Sequence, residues 1–274
     1  MTDLKAIADR LTEAYDSATT LPPITTAAPD FSVADGYAVL GDIELRRRAQ
    51  GWQAIGRKIG FTNRTIWPRY GVYQPMWAHV WTHTVHFAAG GRVSLPLRTF
   101  VQPRIEPEVV FKLKAPVPLT DDPAAILASV EWIAPGFEIV QSHFPDWKFK
   151  AADCAAAFGL HGALAIGAPV AVTDANRLAL ASVLPTFKVT LSRGDTVIDR
   201  GVGANVLGSP ALALAHLARL LADQPKSPRL AAGEIVTTGT LTDAWPVAAG
   251  EVWLSDYGTL GLKGLTLRFD DVRR

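Results

Sequence analysis

The segment RIEPEVVF, residues 104–111, combines the apolar alternation of a β-strand with two glutamates. Successive side chains of a strand point to opposite faces, so Glu106 and Glu108 are predicted to share one face. Two like charges on an enclosed face cannot both stay ionised without a cation or a shared proton. The spacing therefore predicts either an exposed acidic face or a site that binds a cation.

A third candidate, Glu138, lies in the apolar run APGFEIVQS. Three glutamates from two strands, with no Cys or His interleaved at ligand spacing, favour a hard cation bound by oxygen atoms, Mg2+ or Mn2+ rather than zinc. The alternatives are an exposed acidic face and structural carboxylates paired with arginine. On the metal hypothesis, the ligands are Glu106, Glu108 and Glu138.

A helical N-terminal region is predicted to precede the strands that carry these residues. Helices are expected over residues 3–17 and 33–49, the second with Ser32 as its N-cap and Asp35 three residues later. The Pro-rich segment between them, TTLPPITTAAPDF, is predicted to be non-helical. A strand, AIGRKIGF, and an irregular aromatic stretch then lead into the body of the chain.

From residue 92 onward, short segments rich in β-branched residues and separated by Gly or Asp predict mainly strands. Two helices interrupt them, one starting at Thr120 and running through AAILASVEWI, the other starting at Ser209 with Pro210 at its first position. Many strands and few helices indicate an α+β fold. We predict an N-terminal helical region over 1–90 and a β-rich catalytic domain over 91–274.

Composition and charge exclude several classes of function. The 274-residue chain has a formal net charge of +1, and its tightest basic run, 46–48, ends a predicted helix, so no nucleic-acid binding is expected. No membrane span is expected, and the N-terminal sequence does not suit a signal peptide. A single cysteine, Cys154, excludes an intramolecular disulfide. We therefore expect a cytoplasmic protein.

Six short motifs follow one another along the chain: GRKIGFT (56–62), EPE (106–108), FEIVQS (137–142), PDWKF (145–149), NVLGSP (205–210) and AGEIVTTGTLTDAWPVAAG (232–250). They occur in the order expected for the fumarylacetoacetate hydrolase superfamily. The chain resembles its branch of 2-keto-4-pentenoate hydratase and 4-oxalocrotonate decarboxylase over nearly its whole length.

This resemblance implies a mixed β-roll body, barrel-like in shape, in which the three glutamates bind Mg2+ or Mn2+. It also implies a homo-oligomer and a small 2-oxo or 2-hydroxydienoic acid substrate from aromatic-ring catabolism. The implied reaction is that of a hydratase, a lyase that adds water through a metal-stabilised enolate. Three alternatives stay open: a decarboxylase of a 2-oxo-enedioate, a C–C bond hydrolase of an acylpyruvate-type substrate, and a non-catalytic ligand-binding relative.

Lys58 is the basic residue that matches the motif of this branch. It alternates with Arg57 in GRKIG, so only one of the two can face the interior. The resemblance favours Lys58, whose ammonium would bind the substrate carboxylate or move a proton. The alternative is an exposed strand lysine.

The PDWKF and TTGTLT segments supply further candidates. Asp146 and Lys148 flank Trp147, and a similar DWK segment in the branch implies a catalytic role for them, unless Trp147 only packs between surface charges. Thr240 matches a position near the ligand in the branch, although a turn hydroxyl that caps its own backbone is equally consistent.

Two departures from the branch bear on the chemistry. After DWK the branch carries an Asp-Asn-Ala-Ser run, whereas this chain reads AAAFGLHGALAIG, and His161 is the candidate substitute as general base or a hydrogen-bonded core residue. In GVYQPMWAHVWTH, Met76, Trp77 and Trp81 predict a bulkier apolar wall for a larger substrate. A histidine metal cluster is a weaker alternative there: His79, His83 and His86.

Overall fold

Two β-sheets and a set of N-terminal helices organise the fold, in a computed structural model that describes residues 2–224 and 227–270. Within these residues the larger sheet has nine strands: β1 (Ala54–Gly60), β2 (Met76–Trp81), β3 (Val85–Phe87), β5 (Arg104–Leu113), β6 (Val130–Val140), β7 (His161–Ile166), β8 (Val170–Ala171), β11 (Ile235–Thr237) and β12 (Trp245–Pro246). Seven of them lie in the order β2-β1-β11-β5-β6-β7-β3, while β12 pairs with β5 and β8 with β6.

The smaller sheet packs on one face of the larger. It consists of β4 (Arg92–Pro96), β9 (Lys188–Arg193), β10 (Thr196–Val202), β13 (Val252–Asp256) and β14 (Thr266–Asp270), in the order β10-β9-β13-β14-β4. Ile105 and Phe137 of the larger sheet share a buried apolar cluster with Trp253 and Phe269 of the smaller. This mixed, curled sheet agrees with the β-roll body that the resemblance implied.

The helices are α1 (Leu4–Asp16), α2 (Ile24–Ala27), α3 (Val33–Ala49), α4 (Trp67–Tyr70), α5 (Pro123–Leu127), α6 (Ala151–Ala156), α7 (Arg177–Val183) and α8 (Pro210–Ala222). Ser32 and Asp35 form the capping box that starts α3. Ser209 caps α8, with Pro210 at the first turn, as predicted. The segment Gly203–Ala222 has the length and apolar composition of a membrane-spanning helix, but most of it is buried inside the fold, which is typical of a core helix.

Two predictions about helix extent were wrong. The Pro-rich segment between α1 and α3 contains the short helix α2, because Pro23 precedes the helix and therefore does not interrupt it. The helix predicted from Thr120 ends at Leu127, and Val130–Val140 form β6 instead. Pairing with the whole length of β5 outweighs the helical pattern of this segment.

The pairing of β5 with β6 positions the acidic residues. These antiparallel strands place Glu106 opposite Glu138, and Glu108 opposite Gly136. Strands from both sides of residue 90 share the larger sheet, so the predicted division between 1–90 and 91–274 does not coincide with a boundary between sheets. The candidate site is therefore built at the centre of one continuous sheet.

Candidate metal and substrate site

Glu106, Glu108 and Glu138 converge between β5 and β6. One carboxylate oxygen from each lies within 4.8 Å of the other two. Glu108 and Glu138 are fully buried, and Glu106 is partly buried. The strand alternation predicted from the sequence thus places both glutamates of β5 on the side where Glu138 lies.

In each of the two buried carboxylates, the fold holds only one oxygen atom by hydrogen bonds. Glu108 Oε2 accepts from the backbone N–H of Gly239 at 2.7 Å and from the hydroxyl of Thr237. Glu138 Oε1 lies 2.8 Å from His161 Nδ1. The other oxygens, Glu108 Oε1 and Glu138 Oε2, have no hydrogen-bond partner among the described residues. Such orphaned oxygens are the atoms that a cation would need.

Gly239 is required for this arrangement on steric grounds. Its φ is +99°, and a Cβ added there would lie 1.8 Å from Thr62 Oγ1. A residue with a side chain could not present its N–H to Glu108 in the same place. The main contribution of the TTGTLT motif to the site is therefore the backbone N–H of its glycine.

The electrostatics of the cluster also fit a cation. Burial, with Lys58 opposing and Glu138 adding to it, raises the pKa of Glu106 to about 8. Burial and the neighbouring carboxylates raise the pKa of Glu108 well above its usual range. Glu138 is also buried, but Lys58 and His161 outweigh burial and lower its pKa. A divalent ion would supply the missing positive charge, and oxygen donors of this kind suit Mg2+ or Mn2+.

Lys58 of β1 faces the three glutamates. Its Nζ donates to the carbonyl of Gly159 at 3.0 Å and lies 3.3 Å from Glu138 Oε2. Burial opposes the charged form, but the three carboxylates outweigh it and raise the lysine pKa. Arg57, on the other face of β1, forms an ion pair with Glu234 at 2.8 Å. The alternation therefore directs the lysine, and not the arginine, to the site.

An open cavity lies beside Lys58 and Glu106. It encloses about 650 Å3 when the open solvent at its mouth is counted. Its polar lining includes Thr62, Asn63, Arg104, Thr240 and Asp243, and its apolar wall includes Phe61, Val140, Trp147, Phe149 and Leu160. The lining thus offers a bound molecule both polar groups and apolar surface.

Three residues of the apolar wall have a left-handed backbone although they are not glycines. Their φ angles are +56° for Phe61, +58° for Trp147 and +67° for Leu160. Such conformations cost of order 1–3 kcal/mol each and tend to cluster at functional sites. This clustering supports the cavity as the functional region.

Gly159 positions the lysine, which leads to a mutational prediction. Its φ is +56°, and an added Cβ would lie 3.2 Å from Ala78 Cβ and 3.6 Å from Lys58 Cδ. Gly159→Ala should strain the turn and shift the carbonyl that holds Lys58. We expect kcat/KM to fall by about 10-fold, which corresponds to roughly 1.4 kcal/mol of activation free energy. The measurement is steady-state kinetics on a metal-loaded protein.

Gly71 offers a matched control for this substitution. Its φ is +58°, but an added Cβ would meet no atom within 4 Å. Gly71→Ala should therefore cost similar backbone strain and leave kcat/KM unchanged. Equal losses of activity in the two variants would show that strain alone, and not the position of Lys58, explains the effect.

The structure separates the remaining candidates of PDWKF and TTGTLT. Asp146 and Lys148 are exposed, lie 3.4 Å apart as a surface ion pair, and do not line the cavity. The catalytic prediction for them is not supported, whereas Trp147 between them does line it. Thr240 lines the cavity, and its hydroxyl also forms the local contact of the alternative interpretation, donating to the carbonyl of Thr242 at 2.9 Å.

Trp77 was predicted to form a wall of the pocket, and the structure places it elsewhere. Its indole is buried, stacks on Tyr37 and donates to Gln224 at 2.8 Å. Trp77 pairs with Ile59, and it is Ala78 that lies opposite Lys58. The apolar wall comes instead from Phe61, Trp147 and Phe149.

The histidines also lie outside the cavity lining. His161 contacts Glu138 and does not line the cavity, so the structure does not bring the predicted general base into contact with a ligand there. His79 Nδ1 lies 2.8 Å from Glu44 Oε1 in a separate buried pair. Within residues 2–224 and 227–270, the three glutamates form the metal-capable cluster, and the alternative histidine cluster does not form.

Sequence reasoning missed several polar residues of the cavity, among them Arg104 and Thr62. Arg104 lies two positions before Glu106 on the same strand, so the alternation that paired the glutamates could have identified it. Thr62 closes the GRKIGFT motif, and its buried hydroxyl has no hydrogen-bond partner among the described residues. Both are candidates to contact a bound molecule.

Comparison with known proteins identifies what this geometry resembles. The family model described as fumarylacetoacetate (FAA) hydrolase C-terminal matches residues 64–262. A 2-hydroxyhexa-2,4-dienoate hydratase of Comamonas testosteroni is 35% identical over 246 residues, covering 88% of this chain and 89% of the relative. A 4-oxalocrotonate decarboxylase of Pseudomonas sp. (strain CF600) is 29% identical over 251 residues, covering 90% of this chain and 89% of the relative.

A solved structure is similar over nearly the whole chain. The 4-oxalocrotonate decarboxylase from Pseudomonas putida G7, complexed with magnesium and adipate, has a TM-score of 0.86 and 25% sequence identity. The alignment covers 97% of each chain. The curled sheet and the N-terminal helices thus belong to a known architecture.

Proposed function

The chain belongs to the fumarylacetoacetate hydrolase family, and from that membership we propose that it is a divalent-metal-dependent hydratase of a 2-hydroxydienoic or 2-oxo acid. The observation that supports this most strongly is the pair of buried carboxylate oxygens without a hydrogen bond in the same cluster as Lys58 and Glu106, which line an open cavity. The named hydratase and decarboxylase relatives agree with the same class of substrate.

Charge balance favours a small anionic substrate. Three carboxylates, one divalent cation and the Lys58 ammonium are together neutral, so an incoming carboxylate meets no net repulsion. A Mg2+ or Mn2+ ion held by these carboxylates would supply positive charge that stabilises the negative charge developing on the substrate during addition of water. Glu106, Glu108 and Glu138 would hold that ion, each through carboxylate oxygen.

Lys58 is the residue of the chain that we assign to the reaction itself. Gly159 and Glu138 fix its ammonium at the edge of the cavity, where it can bind the C1 carboxylate or exchange a proton with the substrate. The hydroxyl groups of Thr62 and Thr240 lie in the same lining and are suited to contact the ligand or the added water. The Phe61 and Trp147 side would pack against the hydrocarbon chain and limit access of bulk water.

Decarboxylation is the second candidate, and one residue favours it. Arg104 lines the cavity with its guanidinium 4.2 Å from the centre of the Trp147 ring. It offers a second cation to a substrate with two carboxylates, such as a 2-oxo-enedioate. A C–C hydrolase is less well supported, because the described residues that line the cavity include no histidine to activate water.

Product analysis tests the proposed reaction. The metal-loaded protein would be incubated with a 2-hydroxydienoate and, separately, with a 2-oxo-enedioate, and the products followed by NMR together with CO2 release. We expect a 4-hydroxy-2-oxo acid from the first substrate. Release of CO2 from the second without hydration of the first would replace the hydratase with the decarboxylase, and no turnover of either would favour a non-catalytic relative.

The assembly and the cellular setting belong to the same proposal. A homo-oligomer in the cytoplasm, with no nucleic-acid or membrane partner, is what the resemblance and the composition lead us to expect. Light scattering on the purified protein would test the oligomer, and a monomeric mass would refute it.

A further inference from the structure

His161 lies behind Glu138 with both ring nitrogens engaged. Nδ1 is 2.8 Å from Glu138 Oε1, and Nε2 is 2.9 Å from Thr84 Oγ1. The histidine and Thr84 are both buried, and neither lines the cavity. The structure therefore favours action of His161 through Glu138, a proposed metal ligand, over direct contact with the substrate.

The direction of the contact with Glu138 follows from its chemistry. An ionised carboxylate can only accept hydrogen bonds, so Nδ1 must donate to Oε1. The second nitrogen meets a hydroxyl that is itself anchored, because Thr84 Oγ1 lies 3.0 Å from the carbonyl oxygen of Trp81 and 3.3 Å from its N–H. The imidazole ring is thus held at both ends.

This matters because the last torsion of a glutamate is broad and roughly two-fold. Without a donor at Oε1, the Glu138 carboxylate would be free to rotate. With Oε1 held, Oε2 is the oxygen without a hydrogen bond, and it lies 3.3 Å from Lys58 Nζ. One hydrogen bond therefore decides how the carboxylate is presented both to an ion and to the lysine.

Glu108 also has one carboxylate oxygen that is held and one without a hydrogen bond, but different groups hold it. Its Oε2 is held by the Gly239 N–H and the Thr237 hydroxyl, and its Oε1 has no hydrogen bond among the described residues. Backbone and hydroxyl donors fix Glu108, whereas an imidazole fixes Glu138. This parallel favours an orienting role for the histidine over simple packing.

We propose that His161 and Thr84 are positioning residues that lock the Glu138 carboxylate in the orientation that binds the divalent ion. The inference rests on the proposed metal site and goes beyond it, because His161 acts through Glu138 and Thr84 acts through His161. Outer-sphere partners of metal ligands typically change affinity by 10- to 100-fold when removed. Thr84 extends that outer sphere by one further residue.

Calorimetric titration of the metal-free protein with Mn2+ tests the role of the histidine. His161→Leu should raise Kd by about 10- to 100-fold, because the Oε1 donor is lost. His161→Asn should lose less affinity, because its amide N–H can replace Nδ1. Wild-type affinity in His161→Leu would overturn the proposal, as would equal losses in the two variants.

Thr84 provides a test that does not depend on the larger substitution. Thr84→Val keeps the shape and removes the hydroxyl, so it should raise Kd, whereas Thr84→Ser should match wild type. In the His161→Leu background, Thr84→Val should cause no further loss, because its effect passes through the ring. Additive losses, or wild-type affinity in Thr84→Val, would overturn the chain of contacts.

His143 is the matched control for removal of a buried histidine. It is buried, and its Nδ1 lies 2.9 Å from the carbonyl oxygen of Thr19, away from the three glutamates. His143→Leu should lower thermal stability and leave the Mn2+ Kd unchanged, and an equal loss of affinity would overturn the specific role of His161. If the wild-type protein binds Mn2+ but turns over no dienoate, the proposed hydratase activity is refuted. The Mn2+ affinities of the variants would still test the positioning role of His161.

Discussion

Replacement of Lys58 by methionine is expected to lower kcat/KM for hydration by about 10²- to 10⁴-fold, the usual contribution of a positioned proton-transfer group. The ammonium is held at the edge of the cavity by the Gly159 carbonyl and by Glu138. Methionine retains the length of the side chain and removes both the charge and the proton. Steady-state kinetics with saturating Mn2+ would measure the loss.

The same variant should bind Mn2+ at least as tightly as wild type. Lys58 Nζ lies 3.3 Å from Glu138 Oε2, so its positive charge opposes a cation at that oxygen. Loss of activity together with retained or improved Mn2+ affinity would show that Lys58 acts in the reaction and is not a metal ligand. Wild-type kcat/KM in Lys58→Met would contradict its assignment.

Arg57→Met is the control for Lys58→Met. Arg57 is also buried on β1, but it points to the opposite face and pairs with Glu234 at 2.8 Å. Removal of this cation should lower thermal stability while kcat/KM stays near the wild-type value. A comparable loss of activity would mean that disruption of β1, rather than loss of the ammonium, explains the result.

Replacement of Glu108 by glutamine should weaken Mn2+ binding by at least about 100-fold, since loss of a ligand exceeds the 10- to 100-fold cost of losing an outer partner. Glutamine can still accept from the Gly239 N–H, so the fold is retained. The metal-free variant should be no less stable than wild type, because a buried carboxylate near two others is removed.

Thermal unfolding with and without Mn2+ would measure both effects. At an ion concentration 100 times Kd, wild type should gain about 2.7 kcal/mol, and Glu108→Gln should gain almost nothing. Glu44→Gln is the control, because Glu44 is a buried glutamate paired with His79 away from the cavity. Full Mn2+ stabilisation of Glu108→Gln would contradict the ligand assignment.

Local periodicity explains what the sequence could predict. The alternation of side chains in β1 and β5 is set within a few residues, so it correctly separated Lys58 from Arg57 and paired Glu106 with Glu108. The capping residues of α3 and α8 are similarly local. These features need no knowledge of how distant segments meet.

The errors arose where distant segments decide the outcome. Trp77 faces away from the site because the β1 and β2 register places Ala78 opposite Lys58, and register cannot be read from either strand alone. Asp146 and Trp147 both adopt a left-handed backbone, which breaks any simple alternation in PDWKF. His161 is a partner of Glu138 only because β7 pairs with β6.

The most direct measurement of the central claim is a titration of metal-stripped protein with Mn2+ in the presence of a 2-hydroxydienoate, with bound ion and loss of the dienoate ultraviolet band followed together. The account predicts no turnover without the ion and a rate that rises with occupancy to saturation at one ion per chain. Turnover that is undiminished in the stripped protein, or one bound ion per chain with no loss of the band, would contradict it.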